Sequence, residues 1–365
     1  MRATVQNLPA GRHIAAMDMD AQIERRAAEG HTESQLALGR NLEAQGRHGD
    51  ARNWFAKAAQ SGNAQALTAL GVNLLIRPPL SHFEGVKAII AGANGGDARA
   101  IHIAGAMAAL GAGLPQSWPM AFDCLYQSAE RGLVPAQDEL RLLANAQAGA
   151  WKVLRDSIDL DALLKPAPMR VVHQHPRVLV AEKFLSPQMC DWLVERAKPK
   201  IGRARVFDAN EGSGKIDRTR NNSATDFNIV ETDLVLALIR ARIASASGLA
   251  PQGMEHSQVL HYSVGQQFAP HFDFLDPATP AYAQNIANAG QRVATFLIYL
   301  NDEFDAAETS FLALDWRYRG GKGDAILFWN VDEQGTPDRQ TLHAGLAPTR
   351  GEKWLFSQWI RAPRS

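Results

Sequence analysis

Only two cysteines occur in the 365 residues, Cys124 and Cys190, and they lie too far apart to make a metal-spaced pair. This argues against a disulfide-stapled secreted scaffold, and free thiols in a reducing compartment are expected. Net charge is missing too: 38 Lys and Arg balance 38 Asp and Glu. With no bulk positive field, nothing draws the chain to nucleic acid or to an anionic membrane. No uninterrupted apolar run approaches the roughly 18 residues of a membrane span. The opening stretch, MRATVQNLPAGRHIAAMDMD, has no apolar core behind its basic residues, so no signal peptide is expected. The expectation is a cytoplasmic protein without nucleic-acid or membrane partners.

At 46% hydrophobic and 21% charged, the composition is that of a folded globular protein. The length exceeds what one core usually supports, so more than one domain is expected. The two halves differ in texture. The first 145 residues are rich in alanine and glycine, and they repeat: AAEGHTESQLALGRNL, AAQSGNAQALTALGVNL, AGANGGDARAIHIAGAMA and QSAERGLVPAQDELRLLA. The aligned glycines Gly30, Gly62, Gly96 and Gly132 are 32, 34 and 36 residues apart. A period in the mid-thirties with two helical segments per unit is the signature of a helical solenoid. Within a unit, DARNWFAKAAQ presents Trp54, Phe55 and Ala58 to a neighbour. A glycine then ends the helix in a left-handed conformation.

Through the A-x-x-W-[FY]-x-K-A-A-x-x-G pattern at 51–62, this half resembles the Sel-like subclass of tetratricopeptide-type repeats. The resemblance implies a surface that docks a protein or peptide substrate. The other reading is that the repeats only stabilise the downstream domain. Repeats are expected over 15–150, one more helix and a proline-bearing linker over 151–170, and a second domain over 171–365.

In that second domain, short runs rich in β-branched and aromatic residues appear: RVLVAEKF, QVLHY, RVATFLIYL, AILFW and WLFSQWI. Many short strands with turn signals between them indicate a sandwich or barrel. Two amphipathic stretches, SPQMCDWLVERAK and ETDLVLALIRARIASAS, are expected to brace it as helices. The first carries Ser186 as N-cap and Pro187 at the first helical position. Residues 203–227 are polar and long for a connection, and read as either a flap over a site or a plain surface loop.

Chemistry concentrates in APHFDFLDP. On a strand, residues i and i+2 share a face, so His271 and Asp273 would point together and Phe272 and Phe274 the other way. His31-Thr32-Glu33 has the same form but sits in a helical repeat, where i and i+2 diverge. His343, 70 residues after Asp273, offers a third ligand. Two histidines and a carboxylate are the ligand set of non-heme Fe(II) oxygenases, with zinc as the rival metal. Lys353, at the edge of an apolar strand, suits a counter-ion for an anionic co-substrate.

The ordered pieces RTRNNSATDF, QVLHYSVGQQFAPHFDF, RVATFLIYLND, ETSF, KGDAILFWN and LHAGLAPTRGEKWLFSQWI resemble the catalytic domain of the prolyl 4-hydroxylase family of Fe(II)/2-oxoglutarate dioxygenases. The resemblance implies a double-stranded β-helix (jelly roll) with bracing helices after the α-helical repeat solenoid. It makes His271, Asp273 and His343 iron ligands, and pairs Lys353 with the distal carboxylate of 2-oxoglutarate. Tyr262 and Thr309 would hydrogen-bond that carboxylate, and Trp359 would line the pocket. Arg292 would contact substrate or, alternatively, sit in an ion pair. The implied reaction uses dioxygen, with ascorbate as reductant, and hydroxylates a peptidyl residue, proline first, while 2-oxoglutarate becomes succinate and carbon dioxide. A free amino acid or other small molecule is the second reading, and a non-catalytic repeat adaptor the third. Two departures stand out: Ala306 and Ala307 replace the family's two glycines before Glu-Thr, and Leu312 replaces its proline.

Overall fold

The computed structural model describes residues 10–204, 206–208, 213–215 and 220–362. They group into two compact units. One is built from residues up to 141 with 148–156 and 229–234, the other from 142–147, 157–228 and 235 onward.

The first unit is helical. Ala10–Ala28, Thr32–Ala44, His48–Ala59, Ala64–Ile76, His82–Asn94, Ala98–Leu110 and Trp118–Glu130 follow one another, each packed on the next. The four aligned glycines all have positive φ, +95°, +77°, +86° and +82°, the conformation that ends a helix at least cost when no Cβ is present. The next residue starts the following helix at once. Asn63 accepts from the amide of Ala66 and Asp97 from that of Ala100, so Gly-Asn and Gly-Asp are a stop and an N-cap in two residues. Small residues set the helix spacing. A Cβ on Gly39 would stand 2.5 Å from a ring carbon of Phe55, which fills the hollow beside Leu36, Leu42 and Ala66. A second cluster of Leu75, Ile89, Ile103 and Met107 continues the core.

The stretch expected as one further helix is two short ones, Trp151–Asp156 and Leu160–Leu164, with Asp159 capping the second. The break falls at 157–159, where the short polar side chains of Ser157 and Asp159 compete for backbone hydrogen bonds.

The second unit is a jelly roll of antiparallel strands. The larger sheet runs Arg170–His173, Val178–Ala181, Ala325–Trp329, Arg292–Tyr299, Lys353–Arg361, Ser257–Tyr262, Ser223–Phe227 and Gly202–Arg203. The smaller runs Trp316–Tyr318, Thr309–Phe311, His343–Gly345 and Phe268–His271. The core lies between them: Tyr262, Leu297, Tyr299, Phe328 and Leu355 of the larger sheet meet Phe311 of the smaller. Strand alternation sends the intervening residues outward, where Phe296 meets Phe184 with ring centroids 4.8 Å apart. The helices Pro187–Ala197, capped by Ser186, and Leu234–Ser247 are both present. Arg240 of the latter donates to Gln358 Oε1 and to the carbonyls of Met254 and Glu255, fastening that helix to the sheet.

The polar connection 203–227 is more ordered than its composition predicts. Ser223–Phe227 is an inner strand of the larger sheet, paired with Ser257–Tyr262 on one side and Gly202–Arg203 on the other. A pair Val206–Asp208 and Ser213–Lys215 precedes it. The rest of the expected flap, 205, 209–212 and 216–219, lies outside the described residues. Among the described residues no helix is long and apolar enough to cross a membrane, and both cysteines are unpaired.

Candidate metal centre and co-substrate pocket

The strands Phe268–His271 and His343–Gly345 are hydrogen-bonded neighbours, with His343 directly opposite His271. Two histidines 72 residues apart are thereby brought to a ring separation of 4.3 Å. Asp273 was expected on the same strand as His271. The strand ends at His271, and Asp273 stands in the bend beyond it. That bend is pinned by Gln291, whose side chain accepts from the Leu275 amide and donates to the Leu275 carbonyl. The outcome for the site is unchanged: Asp273 Oδ1 is 3.6 Å from His271 Nε2, and Oδ2 is 3.6 Å from His343 Nε2. Phe272 and Phe274 stack on each other instead, 4.7 Å apart.

Both imidazoles are oriented the same way. His271 Nδ1 lies 2.9 Å from the Ala269 carbonyl, and His343 Nδ1 lies 3.0 Å from the Thr341 carbonyl. A carbonyl only accepts, so each Nδ1 carries the proton and each Nε2 turns its lone pair toward Asp273. Burial, reinforced by His343, pushes the pKa of His271 down to about 3. Burial alone would raise that of Asp273, but the two imidazoles and the Thr295 hydroxyl outweigh it and hold the carboxyl below its ordinary range. The site thus offers two Nε2 nitrogens and one carboxylate. That donor set fits a divalent cation, and among the described residues it is the group of His, Cys, Asp and Glu side chains that converges so. Phe268 stacks on His271 at 3.5 Å and carries the Arg220 guanidinium on its ring at 4.7 Å.

Lys353 opens the central strand Lys353–Arg361 opposite Tyr262, and it is fully buried. Its ammonium donates to the Ala307 carbonyl at 2.8 Å and lies 5.0 Å from the Tyr299 ring and 5.4 Å from that of Tyr262. Burial in this aromatic chamber pushes its pKa down to about 7. A cation so placed suits an anion that enters the same chamber. Thr309 is next to it, its hydroxyl 2.8 Å from that of Tyr299. Tyr262, Thr309, Lys353, Trp359 and the three converging ligand-type residues line one cavity.

Ala306 and Ala307, the glycine replacements, have φ of +59° and +60°. The backbone keeps the left-handed turn although the side chains resist it, and this turn presents the Ala307 carbonyl to Lys353. Arg292 is engaged within the unit: it forms a two-pronged pair with Glu255 at 2.7 and 2.8 Å and stacks 3.7 Å from the Trp359 ring. Arg361 joins the same carboxylate. Sequence reasoning passed over Arg220, Gln291, Glu255, Thr295 and Asn330. Polar residues inside apolar strand runs, as Thr295 in RVATFLIYL, were the available signal.

A jelly roll with two histidines and a carboxylate between its sheets, and a buried lysine beyond them, defines the class of 2-oxoglutarate-dependent oxygenases. Comparison with known proteins agrees. The family model of the 2OG-Fe(II) oxygenase superfamily matches residues 257–361. A probable prolyl 4-hydroxylase 10 of Arabidopsis thaliana is 33% identical over 213 residues, covering 53% of this chain and 71% of that protein. The viral collagen prolyl hydroxylase of Paramecium bursaria Chlorella virus-1, solved with 2-oxoglutarate, is 29% identical over 51% of this chain and 96% of that one, with a TM-score of 0.40. A Sel1 repeat protein from Oxalobacter formigenes is 20% identical over 33% of this chain and 96% of that one, with a TM-score of 0.30. The chain belongs to the prolyl 4-hydroxylase family, and it is a 2-oxoglutarate-dependent dioxygenase.

Proposed function

We propose that His271, Asp273 and His343 hold Fe(II), and that the enzyme hydroxylates a peptidyl residue, proline first. The observation that carries this reading is the convergence of two Nε2 lone pairs and one carboxylate in one cavity with a buried ammonium. Lys353 takes the distal carboxylate of 2-oxoglutarate, with Thr309 and Tyr262 as hydrogen-bonding neighbours and Trp359 as a wall. The iron, with 2-oxoglutarate and dioxygen, supplies the oxidation that converts the co-substrate to succinate and carbon dioxide and places one oxygen atom in a substrate C–H bond.

The protein's own contribution is orientation and dryness. The carbonyls of Ala269 and Thr341 fix which imidazole nitrogen is offered. Lys353 gains its full charge when an anion meets it, so co-substrate binding repays a cost already built into the fold. Phe311 and Phe328 pack against His343 and help keep water from the site. The bidentate Glu255 pair holds Arg292 over Trp359, a wall of the cavity. Ascorbate serves as reductant for enzyme that loses its ferrous state. The helical repeats dock the protein substrate or a partner; their groove includes Arg40, Arg77 and Arg99 beside Glu43 and Asp97, a mixed-charge lining suited to peptide. The unpaired cysteines support a reducing, cytoplasmic compartment.

The test is turnover of 2-oxoglutarate with Fe(II), ascorbate and a library of proline-containing peptides, reading succinate and peptide mass. The expected result is succinate from the intact chain, none from His271→Ala, and a peptide gaining about 16 mass units, the mass of one oxygen. Equal succinate from His271→Ala would overturn the iron assignment. Turnover with free amino acids and none with peptides would overturn the substrate class.

A further inference from the structure

Asp273 is gripped from a third direction. Its Oδ2 is 2.7 Å from Thr295 Oγ1, and that hydroxyl is 3.0 Å from Asn330 Nδ2. Thr295 and Asn330 are completely buried. The direction of these bonds is forced. A carboxylate only accepts, so the single Thr295 hydrogen goes to Asp273, and the hydroxyl oxygen must then receive from a donor. The Asn330 amide is that donor. The relay runs Asn330 to Thr295 to Asp273.

Strand formation does not ask for this hydroxyl. Thr295 lies on a central strand, opposite Phe328 on one side and Trp359 on the other. Valine has the same shape and the same β preference, and the next inward residues on that strand, Leu297 and Tyr299, belong to the apolar core. A polar pair in such a wall costs desolvation, the more so as Asn330 Oδ1 is buried without a hydrogen-bond partner.

The relay also breaks a symmetry. By distance alone the two oxygens of Asp273 are equivalent, each 3.6 Å from one Nε2. Only Oδ2 is held by the hydroxyl. Resting on the iron assignment above, we propose that Thr295, backed by Asn330, is a positioning residue that occupies Oδ2 and leaves Oδ1 as the one oxygen Asp273 offers to metal. A carboxylate free to turn could chelate with both oxygens and take a coordination position that the co-substrate needs. Asn330 has a second reach. Its backbone carbonyl accepts from the Asp338 amide, the Asp338 backbone carbonyl accepts from the Thr341 hydroxyl, and the Thr341 carbonyl holds His343 Nδ1. Position 330 thus supports two of the three ligands, Asp273 through its side chain and His343 through its backbone.

The experiment uses the full chain freed of metal, titrated with Mn(II) in saturating 2-oxoglutarate, with the visible spectrum of the Co(II) form as a second readout. Thr295→Val is expected to weaken Mn(II) binding by about 10–100-fold and to change the Co(II) spectrum, while Thr295→Ser stays within about threefold of wild type. Asn330→Ala is expected to shift both readouts in the same direction as Thr295→Val. Wild-type affinity and an unchanged spectrum in Thr295→Val overturn the proposal. If that variant does not fold, the same result in Asn330→Ala overturns it. The iron assignment fails separately, if wild type itself does not bind Mn(II) or if His271→Ala binds it equally well.

Discussion

Replacing Lys353 by methionine should stabilise the protein and disable it together. The side chain is fully buried, and burial brings its pKa from 10.5 to about 7. At about 1.4 kcal/mol per unit, holding the ammonium charged in that chamber costs roughly 5 kcal/mol at pH 7 and below. Methionine follows the same path with a flexible apolar chain and removes the charge. It also strips the Ala307 carbonyl of its donor, which returns about 1–3 kcal/mol of penalty. The net expectation is that Lys353→Met is more stable than wild type by about 2–4 kcal/mol at pH 6.5, in urea unfolding without 2-oxoglutarate. The advantage should shrink with rising pH. Between pH 7 and 10.5 the unfolded chain keeps a proton that the folded lysine has released, so wild-type stability gains on the variant through that window. Adding Mn(II) and 2-oxoglutarate at 100 times its Kd should raise wild-type stability by about 2.7 kcal/mol beyond Mn(II) alone, and the variant's not at all. A variant less stable than wild type at pH 6.5, or one that keeps the 2-oxoglutarate response, would refute the reasoning.

Three further substitutions test the packing and backbone arguments. Ala306→Gly relieves a non-glycine residue at φ +59° and should stabilise by up to about 1 kcal/mol, the gain reduced by glycine's freer unfolded chain; a clear loss in urea midpoint would contradict the strain reading. Gly351→Ala places a Cβ 2.3 Å from the Glu303 carbonyl oxygen at φ +73°, and should cost at least about 2 kcal/mol, read as a lowered melting temperature. Phe55→Ala empties the hollow beside Gly39 and should cost about 3–5 kcal/mol of helical-unit stability by circular dichroism; a loss under 1 kcal/mol would mean the helices close over the gap.

The helical half was legible because its signals are local. The positive φ of the glycines and the capping by Asn63 and Asp97 act within one turn of the chain, and the same signals recur from unit to unit. The single helix expected ahead of the linker within 151–170 is split for a local reason as well, since Ser157 and Asp159 outweighed the apolar periodicity around them. In the second half, apolar runs announced the strands but not their partners. Ser223–Phe227 looked like loop because its residues are polar, yet it lies inside a sheet, where pairing on both edges overrides composition.

Residue types and their spacing alone singled out His271, Asp273 and His343 as candidate ligands and Lys353 as a candidate counter-ion, because a metal site demands side chains of those types whatever the surroundings. Tertiary structure alone decided which nitrogen each histidine offers, that Asp273 sits in a bend, and that Arg292 is paired with Glu255. It alone joined Thr295 and Asn330 to Asp273. Those facts depend on hydrogen bonds between residues from 2 to 37 positions apart, set by strand register and loop path. A side chain's chemistry is written in its residue type, but its partner is chosen only when the strands close.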